Sequence, residues 1–598
     1  MQVAHYLDAD LHTWATALAA ALFTEPALPA AGAQRSHQLG ANADRAEAAP
    51  DIDHLKLSQA VWRRLGELAR LDGAADAVLR AWRRPLLEQL PLTPAEWQPA
   101  VISSHAVSGV LQLSLPTANA CRCAVHAVHD VHSLSLDFPG EHQDPAATEG
   151  ISLTLHAVAT MPALRSVELD LSRSRSTSIV EELSPALSKL PQLASLCLDS
   201  IGIDAAGAAA LAQLLGSLTT LTSLCLRENP FRDDSAEALA LALSRLSRLA
   251  ALDLSALDIR AAGAATLVEP LGALTALTAL DLSDNDLERF AERALARALS
   301  RLSRLASLRL ADAFIDDTGA AALAEHLGAL STLTALNLSG NAIGLDGVQS
   351  LAPALRRLPR LAALDLEFND TDADCTATLA EHLSALTTLT ALCLSGNPLL
   401  EDPEDTGTSS IEALPPVLRC LSRLADLSLS FYTIEACEFE AAALAAALRG
   451  LTALTRLHLL HHWFGFGEGG TKALAPGLSS LSQLANLSMG GSRSIGAAGA
   501  AALAPPLAAL TALTALNLPN NWFGDAGAEA LAPALSRLSH LQCLSMSCNS
   551  LSDDSLLHLT PALACLANLS KLHLSGGQRF SRDALALFRA RLPGIWCI

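Results

Sequence analysis

The motif Leu-x-x-Leu-x-Leu returns every 28 residues and constrains this chain more than any other feature of its sequence. It begins at Leu193 and recurs without a slip at Leu221, Leu249, Leu277, Leu305, Leu333, Leu361 and Leu389. After an insertion it resumes at Leu424, Leu454, Leu484, Leu513, Leu541 and Leu569. A fixed period of this length indicates a stack of similar units rather than a set of independent globular domains.

Each period contains two halves with different hydrophobic spacing. In the first half apolar and polar residues alternate, as in Leu280-Asp281-Leu282, which predicts a β-strand. In the second half, as in residues 207–218, leucines recur at spacings of three and four, which predicts an amphipathic helix. One strand and one helix cannot bury their own apolar faces, so the units must stack into a solenoid. Strands pack about 4.8 Å apart and helices are about 10 Å across, so the strands should line the concave side.

Two kinds of unit alternate along the repeat. Units opening with Thr-x-Leu-Thr, as at Thr219 and Thr275, alternate with units opening with Ser-x-Leu-Ala, as at Ser247 and Ser303. From about Met161 to the C-terminus, the chain therefore resembles the ribonuclease-inhibitor-like class of leucine-rich-repeat proteins, in which two unit types also alternate. The resemblance implies an α/β horseshoe solenoid, with parallel strands on its concave face and helices on its convex face. It also implies binding of a protein ligand, although this repeat serves many partners.

The resembled family usually carries asparagine three residues after the last leucine of the motif. Its side chain can satisfy backbone groups of the turn and so form a ladder along the stack. This implied structural ladder consists of Asn229, Asn285, Asn341, Asn369, Asn397, Asn521 and Asn549. Other units carry Leu257, Ala313, Tyr432, His462 or Ser492 at this position, and we expect the turn geometry to change there.

The pattern divides the chain into five segments. Residues 1–50 are Ala-rich and predicted to be partly mobile, and residues 51–105 are predicted to form a helical cap or a degenerate F-box-like region. Residues 106–190 contain divergent first repeats, residues 191–566 the regular leucine-rich repeats, and residues 567–598 the last repeat and a C-terminal cap. Solenoids need such caps because their terminal units would otherwise expose the core.

Composition narrows the function further. A net charge of −21 argues against nucleic acid or an anionic membrane as partner, since both need a basic surface. The 12 cysteines are scattered, which is typical of a protein in a reducing compartment. We therefore expect a cytoplasmic location, and we expect the protein to be a monomer. We find no nucleophile–base motif, phosphate-binding loop or zinc motif. The sequence therefore predicts a non-enzymatic scaffold or adaptor that needs no metal or cofactor.

Residues between the strand leucines should point onto the concave face, because successive side chains in a strand alternate. In the first half of the regular repeats this column is weakly acidic, with Asp253, Asp281, Arg309 and Asp365 as candidate ligand contacts. In the second half, the candidates are Arg456, His458, His461, Trp463 and Trp522. Tryptophan and arginine are typical anchors of protein interfaces. A solvated wall, or local repacking around these irregular units, is the structural alternative.

Two other functions stay open. The segment Arg80-Ala81-Trp82-Arg83-Arg84, preceded by Asp72, resembles the end of an F-box, which would make the chain a substrate-recognition subunit of a ubiquitin ligase. GTPase-activating proteins of the Ran type use similar repeats and would need an exposed arginine, for which Arg227 and Arg309 are candidates. An acidic insertion at residues 400–411 is predicted to protrude and could also carry recognition.

Overall fold

A computed structural model describes residues 101–102, 110–114, 133–137, 165–170, 179–190, 192–371, 373–397, 414–431, 438–461, 467–491, 495–576, 578–592 and 596–597. The predicted mobile segment, the F-box-like residues 72–84 and the acidic insertion at residues 400–411 lie outside the described residues. The chain divides into two compact units, Met1–Pro230 (unit 1) and Phe231–Ile598 (unit 2).

Unit 1 contains six described strands and two described helices. The strands are β1 (Val101–Ile102), β2 (Val110–Ser114), β3 (Ser133–Asp137), β4 (Ser166–Asp170), β5 (Ser195–Asp199) and β6 (Ser223–Cys225). β1 is antiparallel to β2, and each of β2 to β5 is parallel to the strand that follows it. Helices α1 (Ile179–Leu187) and α2 (Ala205–Ser217) follow β4 and β5.

Unit 2 repeats a strand and a helix. Its described strands are β7 (Ala251–Asp253), β8 (Ala279–Asp281), β9 (Ser307–Arg309), β10 (Ala335–Asn337), β11 (Ala363–Asp365), β12 (Ala391–Cys393), β13 (Asp426–Phe431), β14 (Arg456–His461), β15 (Asn486–Gly491), β16 (Ala515–Asn517), β17 (Cys543–Ser545), β18 (Lys571–His573) and β19 (Trp596–Cys597). Each is parallel to the next in one sheet, so consecutive units place equivalent residues side by side.

The helices of unit 2 alternate with these strands. They are α3 (Arg232–Leu243), α4 (Ala261–Ala273), α5 (Glu288–Leu299), α6 (Asp317–Leu327), α7 (Leu345–Leu355), α8 (Ala373–Leu383), α9 (Leu414–Cys420), α10 (Glu438–Leu448), α11 (Gly467–Leu478), α12 (Gly496–Ala509), α13 (Gly524–Leu535), α14 (Asp553–Ala564) and α15 (Arg582–Arg591). An open parallel sheet alternating with helices confirms the predicted leucine-rich-repeat solenoid.

The core lies between the sheet and the helices. The motif leucines Leu333, Leu336 and Leu338 are at most 2 % exposed, and the helix residues Leu351 and Leu355 are equally buried. Burial of a leucine side chain stabilises the fold by roughly 1.5–3 kcal/mol. The strict period of the motif therefore follows from the core, since every unit must present its leucines in register with those of its neighbours.

The asparagines after the motif lie in this core and bond to the backbone of two units. Asn341 is buried and donates from Nδ2 to the carbonyls of Leu310 (2.8 Å) and Leu338 (2.9 Å). Its Oδ1 accepts from the N–H groups of Ala313 (3.1 Å) and Ile315 (2.9 Å) in the preceding unit. One asparagine therefore serves its own turn and the turn before it.

This sharing explains why asparagine can be absent from alternate units. At Leu257 the backbone N–H donates to Asn285 of the following unit (3.2 Å), just as Ala313 donates to Asn341. Both replacement residues are fully buried. The interruption expected to alter the turns at Leu257 and Ala313 is thus bridged by the next asparagine along the stack.

Aspartates connect successive helices in a similar way. Asp317, in the first turn of α6, accepts from the N–H groups of Gly344 (2.7 Å) and Gly347 (3.0 Å) at the start of α7. Gly344 is the N-cap of α7 and has no side chain of its own to cap the helix. Asp233 likewise accepts from the backbone of Arg260 and Gly263 at the start of α4. The first turn of one helix therefore caps the helix that follows.

Prolines near the helix ends do not delay the helices. From sequence, Pro353 and Pro533 predict a late start or a kink. However, α7 and α13 begin at Leu345 and Gly524, and each proline falls in the last turn. Both prolines are exposed, so their rings face solvent rather than the packed sheet.

Candidate protein-binding surface

The strands β7 to β12 of unit 2 expose one face of the parallel sheet. We call this surface the strand face and define it by Asp253, Asp281, Arg309, Asn337, Asp365 and Cys393, with the residues that precede and follow them on the same side. These six side chains are in register across neighbouring strands. The row before them consists of small residues, namely Ala251, Ala279, Ser307, Ala335, Ala363 and Ala391. The face thus has a shallow floor beside a row of polar groups.

The polar row makes a recurring local hydrogen bond. The Oδ1 atom of Asp281 accepts from the N–H of Ser283 (3.0 Å), and that of Asp365 accepts from the N–H of Glu367 (3.0 Å). Asn337 makes the same bond to the N–H of Ser339 (2.8 Å). The bond needs only a side-chain oxygen, so the fold accepts either aspartate or asparagine here.

Acidic groups outnumber basic ones on the strand face. The rows of β7 to β12 and the two residues after each strand carry Asp253, Asp281, Asp365 and Glu367, whereas their basic residue is Arg309. Arg309 lies 3.6 Å from the Oδ2 atom of Asp281 and is 64 % exposed. Such an exposed ion pair contributes little to stability. The face therefore carries a net negative charge.

Asp365, Glu367 and Cys393 form the closest cluster of titratable groups on this face. A carboxylate oxygen of each acid and the Sγ atom of Cys393 all lie within 4.8 Å of one another. Burial and the charge of Asp365 both raise the pKa of Glu367. Burial also raises the pKa of the Cys393 thiol to about 12, helped by the two nearby carboxylates. The thiol is therefore protonated at neutral pH and is not a ready nucleophile.

The second group of candidates lies on the strands from β14 onward. Arg456 reaches back to Asp426 on β13, with 2.9 Å between Nε and Oδ2, and remains 59 % exposed. His458 is half-buried and in register with Ser428 and Ser488. β13, β14 and β15 each have six residues, so these strands extend past the leucine motif.

The aromatic candidates are only partly described. The backbone of His461 lies at the end of β14, its side chain is not described, and Trp463 lies outside the described residues. Trp522 follows β16, has a positive φ of 54°, and is 47 % exposed. Phe523 beside it is buried, as its place in the repeat predicts.

The arginines considered for GTPase activation are both paired. In unit 1, Arg227 lies 2.9 Å from Asp199 and 3.5 Å from Glu228. The hydrogen bond to Asp199 raises the pKa of Arg227 above its ordinary value. In unit 2, Arg309 is paired with Asp281. An arginine that stabilises a transition state must reach a bound nucleotide, which would require these pairs to break.

The structure adds residues that reasoning from one column did not identify. Glu367 follows Asp365 by two residues on the same face, and Asp426 is the ionic partner of Arg456. Phe314 and Phe368 are 69 % and 51 % exposed on the turns after β9 and β11. Extending the alternation one step beyond the last leucine of the motif would have identified Glu367, and Asp426 occupies the position that Arg456 has in the next unit.

Comparison with known proteins places the repeat in a family. A family model described as Leucine Rich repeat matches residues 217–240, 329–352 and 509–532. No curated protein matches the chain in sequence. Within the described residues, none of the helices is long and apolar enough to cross a membrane.

Similar solved structures have low sequence identity. A leucine-rich-repeat protein of Leptospira interrogans is 17 % identical, over 85 % of this chain and 98 % of its own, with a TM-score of 0.37. An internalin of Listeria monocytogenes is 18 % identical, over 69 % of this chain and 88 % of its own, with a TM-score of 0.35. The chain in a TLR13–ssRNA13 complex is 18 % identical, over 79 % of this chain and 65 % of its own, with a TM-score of 0.37. The matched segments, with the alternation of parallel strands and helices, show that this chain contains leucine-rich repeats.

Proposed function

We propose that this protein is a non-enzymatic, cytoplasmic interaction scaffold whose strand face in unit 2 binds a protein ligand. The observation that carries the proposal is the exposed sheet face itself. Its first row is built of alanine and serine, which leaves the floor accessible, and its second row presents charged groups in register. An extended array of this kind suits a macromolecular surface better than a small molecule, which needs an enclosing pocket.

The chemistry of the face supports binding rather than catalysis. Its thiol is held protonated, and its carboxylates accept hydrogen bonds from the backbone two residues ahead. Neither arrangement supplies an activated nucleophile. We extend the binding surface to Arg456, His458, His461, Trp463 and Trp522 as a second contact region, because arginine and tryptophan can anchor an interface.

A steric block tests this proposal. Ala335→Trp or Ala363→Trp would fill the floor of the strand face, whereas Ala265→Trp places the same bulk on the exposed side of α4. Affinity capture with cross-linking mass spectrometry should find a ligand cross-linked to β7–β12 that both strand-face variants lose and the α4 variant retains. Equal capture by all three proteins, with unchanged thermal unfolding, would refute the strand face as the binding surface.

The other two functions make separate predictions. A ubiquitin-ligase subunit would copurify with ligase components through residues 51–90 and lose them when that segment is removed. A GTPase activator would accelerate hydrolysis by a Ran-type GTPase, and Arg227→Ala or Arg309→Ala would abolish the acceleration. Our proposal predicts neither result.

A further inference from the structure

The negative charge on the strand face is arranged in two separate groups. Asp253 and Asp281 are neighbours in register on β7 and β8. Asp365 at the end of β11 and Glu367, two residues later, form the second group. Between the groups lie Arg309 on β9 and the neutral Asn337 on β10. A partner that neutralises both groups therefore needs two positive regions with no positive charge between them.

The spacing of the two groups follows from the sheet. The midpoint of β7 and β8 is three and a half strand steps from β11, or about 17 Å at about 4.8 Å per step. An extended peptide advances about 3.3 Å per residue, so about five residues span this distance. A peptide crossing the strands would rest on the row of small residues, from Ala251 to Ala391.

The backbone hydrogen bonds of this row do not require a charged side chain. Asn337 accepts from the N–H and hydroxyl of Ser339 (2.8 and 2.7 Å), and Asp253 accepts from the same groups of Ser255 (2.9 and 2.6 Å). Asparagine would thus serve the backbone equally well, without the repulsion between Asp253 and Asp281 on adjacent strands. The backbone hydrogen bonds therefore do not explain why this row carries aspartate at both positions.

An exposed aromatic residue directly follows the second group in the chain. Phe368 follows Glu367, is 51 % exposed, and covers Gly396 of the next unit, where an added Cβ would lie 2.3 Å from its ring. Its φ of 49° is unfavourable for a bulky residue. An aromatic face beside a carboxylate favours a guanidinium, which can stack and form an ion pair at once, over an ammonium.

We propose that the strand face binds an extended, arginine-containing protein segment, with two basic clusters about five residues apart. One cluster pairs with Asp253 and with Asp281, where it replaces the exposed contact of Asp281 with Arg309. The other pairs with Asp365 and Glu367, next to Phe368 in the chain. The inference rests on the proposed function, because it names the ligand chemistry for the same surface.

Two peptides of equal composition test the spacing on the full-length protein. The split peptide is fluorescein-labelled Arg-Arg-Gly-Ser-Gly-Arg-Arg, and the block peptide is Gly-Ser-Arg-Arg-Arg-Arg-Gly with the same label. Fluorescence anisotropy at physiological salt should give at least about fivefold tighter binding of the split peptide, since only it reaches both acidic groups. Equal affinities would overturn the two-cluster arrangement.

Matched variants test the residues. Asp253→Asn with Asp281→Asn, and Asp365→Asn with Glu367→Gln, each remove two charges and should weaken the split peptide about tenfold. Asp346→Asn with Glu237→Gln removes two exposed charges from α7 and α3 and should leave binding unchanged. Equal losses in all three double variants would show attraction to net charge alone and overturn the proposal.

The aromatic contact has its own test. Phe368→Ala should keep the fold, because Ala256 occupies the equivalent position with a φ of 52°. The variant should lose the preference for the arginine peptide over its lysine counterpart, and an unchanged preference would overturn the role of Phe368. The peptide proposal and the scaffold proposal can fail separately. A ligand captured by the wild type and lost in Ala335→Trp would support the scaffold proposal even if the split peptide did not bind.

Discussion

Replacing Asn285 by alanine should destabilise the protein more than the same change at Asn369. Asn285 donates to the carbonyls of Leu254 (2.8 Å) and Leu282 (3.1 Å). The neighbouring positions of the ladder hold Leu257 and Ala313, which have no side-chain donor to replace it. Both carbonyls therefore lose their asparagine donor in the variant.

Asn369 stands in a continuous run of asparagines, which changes the outcome. It donates to the carbonyls of Leu338 and Leu366 (2.9 and 3.2 Å). Asn341 also donates to Leu338 (2.9 Å), and Asn397 also donates to Leu366 (2.8 Å). Removing Asn369 therefore leaves each carbonyl with one asparagine donor.

The difference can be estimated from the cost of an unsatisfied buried group, about 1–3 kcal/mol. Two more carbonyls lose their donor in Asn285→Ala, so its free energy of unfolding should fall by about 2–6 kcal/mol more than that of Asn369→Ala. Urea denaturation measures this difference, and hydrogen exchange of the Leu257 and Ile259 amides reports it locally, because both donate to Asn285. Equal destabilisation by the two variants would refute the view that one asparagine serves two turns.

Three further changes have defined outcomes. Asp317→Ala removes the cap of α7 and should cost about 1–2 kcal/mol in urea denaturation, whereas the exposed Asp346→Ala should cost less. Gly340→Ala should destabilise the protein more than Gly524→Ala. Both glycines have a positive φ (66° and 56°), but an added Cβ at Gly340 would lie 2.2 Å from Asp312, whereas the space at Gly524 is open. Adding Asp312→Ala to Gly340→Ala should remove the difference. Cys393 should react with iodoacetamide more slowly than the exposed Cys565 at pH 8 and accelerate only toward its pKa of about 12, as mass spectrometry would show; equal rates at pH 8 would contradict a buried thiol.

Much of the fold could be predicted because the repeat fixes both register and burial. Leu336, for example, must face the core, since its neighbours at the same position in other units are also leucine and pair with it across the sheet. The sharing of asparagine between turns could not be predicted in this way. It depends on bonds between residues 26 and 31 positions apart, such as Asn341 to Ile315 and Leu310, which only the stacked geometry brings together.

The candidate surface was harder to predict because recognition has no period. The column of residues between the strand leucines identified Asp281 and Arg309. It did not identify their 3.6 Å ion pair, which depends on the direction of the side chains. It also missed Glu367, whose pKa is raised by burial against neighbouring strands rather than by any sequence motif. Glu367, two residues after β11, lies on the same face as Asp365 because the backbone continues to pair past the strand. The N–H of Gly340 donates to the carbonyl of Glu367 (2.7 Å).

Stability and recognition should be separable on the strand face, and Asp281 tests this. Asp281→Asn retains the oxygen that accepts from Ser283, and loses only an exposed contact with Arg309. Its free energy of unfolding should therefore stay within about 0.5 kcal/mol of wild type, as for other surface changes. Asp281→Ala loses the acceptor as well and should cost about 1 kcal/mol. If both variants are equally destabilised in urea, the charge itself supports the fold, and a face whose acids are needed for stability would give no independent evidence for a basic ligand.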